Sequence, residues 1–231
     1  MEALIHEPVL LAEVLQITNL QPGDQVIDCT LGLAGHAQAF LEKIGPAGKF
    51  LGLDWDNRSL EQARAILDPY AGQAHLVNAS FADLLSVVKQ EKIFNQVKLI
   101  FFDLGWSSWQ LLQKPGFSFQ RPEDELDLRF DESSGQTAAD LLNNWSAEDL
   151  ARIFKEYGQE AKSIRLAQEI VLSRKAQPIQ KVGDLLSVVG RIIPRRGKIH
   201  PATKIWQALR IAVNQELEIL PKALQNAWQV L

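Results

Sequence analysis

Apolar and polar positions alternate in blocks through the first half of the chain. Gln25 to Cys29, Lys49 to Asp54, Ala74 to Ala79 and Val97 to Asp103 are short, mostly apolar runs, and Asp28, Asp54 and Asp103 stand at or near the ends of their runs. Between them, stretches with helical spacing run over roughly Gly35–Ile44, Arg58–Leu67 and Phe81–Gln90. Buried runs alternating with helices predict βαβ units and a parallel sheet, an α/β fold. After Phe119 the alternation stops, and from about Thr137 to Arg196 only helical spacing remains. There, Ser146 placed before Asp149 predicts a helix cap and Gly158 a helix end, with further helices over Ala161–Arg174 and Val182–Ile193. This is a small all-helical module placed after the fourth strand. Pro201 then opens a long helix in which Ile205, Leu209, Val213 and Leu217 recur every four residues as the core stripe. Thr203, Gln207, Arg210 and Asn214 form a second, polar stripe on it.

The bulk composition narrows the classes. A chain of 231 residues, 46% hydrophobic and 23% charged, is an ordinary globular composition for one large domain or one domain with an insertion. No apolar run approaches the roughly 18 residues of a membrane span, and Met1-Glu-Ala-Leu-Ile-His6 lacks the basic and apolar regions of a signal peptide. Cys29 is the single cysteine, which excludes internal disulfides and a Cys-based zinc site and points to a reducing cytoplasm. His36 has no metal-ligand spacing with His6, His75 or His200, so no metal site is expected. The net charge of −4 argues against attraction of nucleic acid by the whole surface. A local patch remains: Arg191, Arg195, Arg196, Lys198, His200 and Lys204 fall within 14 residues. Alone, such a run reads as solvated surface; beside the polar stripe it favours a grip on RNA phosphates.

Two places carry chemistry. Asp28-Cys-Thr-Leu-Gly32-Leu-Ala-Gly35-His36 follows the first strand, and its small residues let backbone and a helix N-terminus approach a ligand. By itself this is a tight strand-to-helix turn, and His36 a first-turn residue. Asp54, at the end of the second strand, shifts the reading, because a carboxylate there commonly holds ribose hydroxyls. Leu33-Ala34 breaks the dinucleotide pattern Gly-x-Gly-x-x-Gly, which leaves S-adenosylmethionine as the better nucleoside cofactor. Its adenine is expected near Trp55 and Phe81, its ribose on Asp54, and its amino-acid end near Gly32–His36, although Trp55 suits the core equally well.

The second place is Ile100-Phe-Phe-Asp-Leu-Gly-Trp-Ser-Ser-Trp-Gln110 with Gly116-Phe-Ser-Phe119. Ligands of open α/β sheets bind outside the carboxyl ends of strands, and Asp103 lies there. An exocyclic base amine is a poor nucleophile; an acceptor such as Asp103 can bond its N–H and aim its lone pair at a methyl donor. Ser107 and Ser108 would support it, and the aromatic side chains would stack a base turned out of its helix. The alternative role for Asp103 is to cap the following turn. Enzymes that methylate DNA amines carry Asn/Asp/Ser-Pro-Pro-Tyr/Phe at this place, whereas Asp103-Leu-Gly-Trp106 stands here.

These motifs together resemble one family, the bacterial ribosomal RNA small subunit methyltransferase H or MraW family. The resemblance is carried by His6-Glu-Pro-Val-Leu-Leu11, Thr30–His36, Leu53-Asp-Trp-Asp56, Asp103–Gln110, Gly116–Phe119 and Leu126-Asp-Leu-Arg129. It continues through Thr137–Asn143, Tyr157-Gly-Gln-Glu160 and His200–Glu216, in order along the chain. The resemblance implies a Rossmann-like methyltransferase domain over residues 1–119 and 200–231, with a helical, RNA-recognising insertion over residues 120–199. It implies S-adenosyl-L-methionine-dependent N4-methylation of a cytidine in the decoding region of 16S rRNA, within the small ribosomal subunit and in the cytoplasm. Implied cofactor contacts are Gly32, Ala34, Gly35, His36, Asp54, Phe81, Asp103 and Gln110, with Asp103 also catalytic; a homodimer is compatible with it.

The chain departs from the family pattern at Ala34, usually glycine, whose methyl is expected to crowd the methionine end of the cofactor. Pro115 replaces an arginine. The family continues past Leu231 with a Gly-Gly turn, a strand and an Ile-Ser-Phe-His-Ser motif, so a shortened sheet is expected. The rival readings are a methyltransferase acting on another amine and a non-catalytic RNA-binding paralogue. Asp124, Asp127 and Arg129 either order a loop over the site or pair with each other.

Overall fold

Four parallel strands form where the apolar runs predict them: β1 (Gln25–Asp28), β2 (Lys49–Asp54), β3 (Ala74–Asn78) and β4 (Val97–Phe101). The structure is a computed structural model that describes residues 8–91, 96–105, 114–133, 135–195 and 200–231. The strands lie in the order β3-β2-β1-β4. The chain moves outward from β1 through β2 to β3, then returns to place β4 on the other side of β1. That reversal makes the tips of β1 and β4 the switch point of a Rossmann-like sheet, where ligands bind.

The connections are helical, as expected. They are α2 (Gly35–Ile44), α3 (Asn57–Ile66) and α4 (Leu84–Glu91), the last entered through a short 3-10 turn over Phe81–Asp83. Alternate strand residues feed two buried clusters. Val26 and Phe50 pack with Phe40, Leu41 and Leu60, while Ile27, Leu51 and Leu53 pack with Leu84 and Val88. A sheet buried on both faces needs apolar side chains at both parities, which is why its strands read as continuous apolar runs. A helix the sequence pattern does not anticipate, α1 (Leu11–Thr18), precedes the sheet. It has no capping side chain, and Leu10 before it has φ 55°, so no local start signal marks it. Val14 and Leu15 lean on the first cluster.

The chain divides into two compact units, residues 1–110 with 218–231, and residues 111–217. The divisions therefore fall near 110 and 217, whereas the sequence pattern places them near 119 and 200. The second unit contains α5 (Ala138–Asn144), α6 (Ala147–Glu156), α7 (Ser163–Ala176), α8 (Val182–Ile192) and α9 (Ala202–Asn214). Helix α9 belongs there because its buried face is spent there. Trp206 is fully buried and donates its Nε1–H to the Gly116 carbonyl at 2.8 Å.

Ser146 caps α6 by accepting the Asp149 N–H, as predicted. Gly158 ends it, its N–H reaching the Ile153 carbonyl at 3.3 Å. Its glycine is required by crowding, since a Cβ there would lie 2.7 Å from the Lys204 carbonyl oxygen. The long terminal helix expected from Pro201 breaks at Gln215, which turns left-handed with φ 51°, and α10 (Glu216–Val230) follows. The break rotates the apolar stripe out of register. Ile205 and Leu209 are buried as expected, but Leu217 is 49% exposed and is not core.

Candidate active site

The site is built on the carboxyl ends of β1, β2 and β4 in the first unit. β1 ends in Asp28, which is 1% exposed although it carries a carboxylate. Its Oδ1 accepts the Thr30 N–H at 3.0 Å, and the turn Thr30–Gly35 begins from that bond. Asp54 closes the turn from the next strand: its Oδ2 accepts the Gly32 N–H at 2.7 Å and its Oδ1 the Asp56 N–H at 2.8 Å. Asp54 thus shapes the turn, and a carboxylate with about four acceptor positions keeps capacity for ribose hydroxyls. Asn78 braces the same tip, donating to the Asp54 and Trp55 carbonyls at 3.0 and 3.1 Å. Asp56 caps α3 through the Arg58 N–H.

Ala34 departs from the expectation in an informative way. It takes φ 61°, left-handed, which costs a side-chain-bearing residue about 1–2 kcal/mol and glycine almost nothing. Its methyl is wholly buried with Phe40 and Leu41, so it offers no exposed surface to crowd a cofactor. Ala34 acts through the turn it holds. Gly35 has no such latitude, because a Cβ there would lie 2.6 Å from Pro8 Cγ.

His36, buried in the first turn of α2, rests its ring 4.7 Å from that of Phe101. Its Nε2 lies 3.1 Å from the Val9 carbonyl oxygen, which can only accept, so Nε2 carries the proton and Nδ1 faces the site. Nδ1 is 3.8 Å from Oδ2 of Asp103, whose side chain is 46% exposed. Asp103 stands past the end of β4, and its N–H donates to Thr30 Oγ1 at 2.7 Å. Phe81 meets the ring of Phe102 edge-on at 6.1 Å, which puts it beside the same strand end.

The structure therefore brings Gly32, Ala34, Gly35, His36, Asp54, Phe81 and Asp103 to one end of the sheet. Trp106, Ser107, Ser108, Trp109 and Gln110 lie outside the described residues, as do Arg196 and Lys198. The reading of the sequence placed Asp28 and Thr30 in the turn after the first strand but gave neither a role of its own. The available signal was an acid ending an apolar run.

The electrostatics suit a cation. Burial, with the charges of Asp54 and Asp103, pushes the Asp28 carboxyl up to about 7, against the lowering effect of the Thr30 N–H. Three carboxylates at one sheet end are relieved by a positive ligand. S-adenosyl-L-methionine brings a sulfonium and an ammonium, and its nucleoside end suits the Asp54 tip. Among the described residues no group of three His, Cys, Asp or Glu side chains is placed to hold a metal ion. Nor is any described helix long and apolar enough to cross a membrane.

The polar stripe of α9 is a free face over only half its length. Gln207 donates to the Tyr157 carbonyl, and Arg210 pairs with Glu216 at 2.7 Å. Asn214 is 4% exposed; it accepts the Phe130 N–H and donates to the Leu128 and Arg210 carbonyls. Arg191 pairs with Glu169, and Lys204 Nζ donates to the Gln159 carbonyl. Thr203 and Gln207 stay exposed on this stripe, while a loop and a helix end cover its other half, Arg210 and Asn214. Asp127 and Arg129 pair with each other at 2.7 Å, whereas Asp124 pairs with Arg121 at 2.9 Å and also accepts the Gly116 N–H at 3.2 Å, which ties it to the Gly116–Phe119 segment.

Comparison with known proteins agrees with the geometry. The MraW methylase family matches residues 3–231. The ribosomal RNA small subunit methyltransferase H of Dictyoglomus thermophilum is 44% identical over 98% of this chain and 76% of its own length. That of Thermomicrobium roseum is also 44% identical, over 98% of this chain and 69% of its own. The chain belongs to the MraW methylase family, whose methyl donor is S-adenosyl-L-methionine.

Proposed function

We propose that this protein methylates the N4 amine of a cytidine in the decoding region of 16S rRNA, on the small ribosomal subunit in the cytoplasm. The relatives are named as ribosomal RNA small subunit methyltransferases, which supports the substrate class. The observation that carries the reading is Asp103 at the switch point, half-exposed, with His36 Nδ1 3.8 Å from its Oδ2. S-adenosyl-L-methionine supplies an electrophilic methyl group on a sulfonium.

The chain's own residues do the rest. Asp54 receives the ribose hydroxyls, the Gly32–His36 turn holds the amino-acid end, and Phe81 flanks the adenine; Gln110 is a further contact. Asp103 accepts the N–H of the cytosine amine, which turns the nitrogen lone pair toward the methyl carbon, and takes the proton released once the N–C bond has formed. Holding the amine in line removes much of the entropic part of the barrier. The helical unit of residues 111–217 contributes RNA contacts, drawn from the basic residues at the end of α8 and before α9.

The test is transfer of labelled methyl to small subunits lacking the mark, followed by nucleoside analysis. Methylcytidine is expected, and Asp103→Asn at saturating cofactor should lower the rate roughly 100-fold or more, in the range of a lost proton acceptor. Label on another base, or no incorporation by a chain extended to the relatives' length, would overturn the reading. Competition by cytosine-containing DNA would favour a methyltransferase acting on a different amine.

A further inference from the structure

We propose that Thr30 is a positioning residue for Asp103: its hydroxyl replaces the backbone ladder at the β1–β4 switch point and fixes where the Asp103 carboxylate stands. The inference rests on the proposed role of Asp103. The last backbone bond between these strands is Cys29 N–H to the Phe101 carbonyl, at 2.9 Å. Past it, the Asp103 N–H goes to the Thr30 side chain at 2.7 Å, across 73 residues of sequence. Parallel ladders bond main chain to main chain at even spacing, so a side chain at the end of the ladder is a departure from it.

Thr30 is itself set from behind. Asp28, enclosed at the end of β1, accepts the Thr30 N–H at 3.0 Å and lies 3.4 Å from its Oγ1. A hydroxyl has one proton and two lone pairs. With the proton directed at Asp28, a lone pair is presented to Asp103. The Asp28–Thr30 bonds alone would be ordinary turn chemistry between near neighbours. The bond to Asp103 is not local, and it falls on the residue whose carboxylate faces His36 Nδ1. Asp103 is thereby held at its backbone by Thr30, while its side chain stays exposed to an incoming base.

The experiment compares the full chain with Thr30→Val, which keeps the shape and removes the hydroxyl, and Thr30→Ser, which restores it. Two quantities are read: methyl transfer, resolved into kcat and KM for the ribosomal substrate, and hydrogen exchange of the Asp103 amide by NMR. Cys29 N–H, bonded to Phe101, serves as the control for an intact sheet. Thr30→Val should lower kcat roughly 10- to 100-fold with KM changed less than about twofold, as expected for misplacement by a fraction of an ångström to an ångström. It should also speed Asp103 exchange at least about tenfold while Cys29 stays protected. Thr30→Ser should restore both to within about threefold. Unchanged Asp103 exchange in Thr30→Val would overturn the proposal, as would fast exchange with unchanged kcat. If neither the unaltered chain nor one extended to the relatives' length transfers methyl, the enzymatic reading fails, and the exchange measurement still decides whether Thr30 holds Asp103.

Discussion

Replacing Asp28 with asparagine should make the protein's stability respond differently to pH. Asp28 is buried at the end of β1, and burial together with Asp54 and Asp103 raises its carboxyl to about 7. An acid whose folded pKa is raised binds its proton more tightly folded than unfolded. Between the ordinary carboxyl range and about 7, the folded state therefore holds more protons, and stability falls as pH rises through that window. Each tenfold change in proton affinity is worth about 1.4 kcal/mol, so a roughly thousandfold change costs about 4 kcal/mol at pH 8 and about 1 at pH 4.5. Asp28→Asn removes the titration while keeping an acceptor for the Thr30 N–H. Any fixed cost of the amide is the same at every pH and cancels from the comparison. The variant should gain about 3 kcal/mol on the unaltered protein between pH 4.5 and 8.

The reporter for that measurement is next door. Cys29, the chain's single cysteine, is buried, so its thiol becomes reactive only when β1 opens. Urea unfolding followed by pulses of a dithiodipyridine, which reacts in acid as well as at neutrality, reads the unit that contains Asp28 even if the helical unit unfolds separately. A stability difference that stays flat within about 0.5 kcal/mol across the pH range would refute the account of Asp28 as a strained, buried acid.

Two further outcomes follow from close contacts. Gly35→Ala drives a Cβ into Pro8 Cγ and should cost about 1–3 kcal/mol of stability while weakening S-adenosyl-L-methionine binding; calorimetry showing unchanged affinity would refute the need for glycine there. Asn214→Leu strands the Phe130 N–H and the Leu128 carbonyl and should destabilise the helical unit by about 2–5 kcal/mol, measured by urea unfolding; a loss below about 0.5 kcal/mol would show that the side chain is not what satisfies them.

What could be read from the sequence and what could not divide along physical lines. The strands, α2 to α4 and the cap at Ser146 were legible because burial on both sheet faces, amphipathic spacing and capping chemistry are local. The positions of Asp54 and Asp103 at strand ends were legible because an acid closing an apolar run marks where the strand leaves the core. The stripe on α9 was legible in part: Thr203 and Gln207 are exposed, whereas Arg210 and Asn214 are covered, since spacing separates the faces of a helix but does not say what packs over them. Only the tertiary structure supplied the Leu128 carbonyl and the Phe130 N–H that occupy Asn214, and the break at Gln215 that exposes Leu217.

The same holds at the site. The residues themselves determined the alternation of strands and helices, the carboxylates at strand tips and the family they signal. The packing of β1 against β4 decided the rest: Asp28 is enclosed, Ala34 is turned left-handed with its methyl in the core, and Thr30 meets Asp103. Bonds between residues 73 or 86 positions apart leave no periodic mark in a chain. They exist only once the sheet and the helical unit have closed.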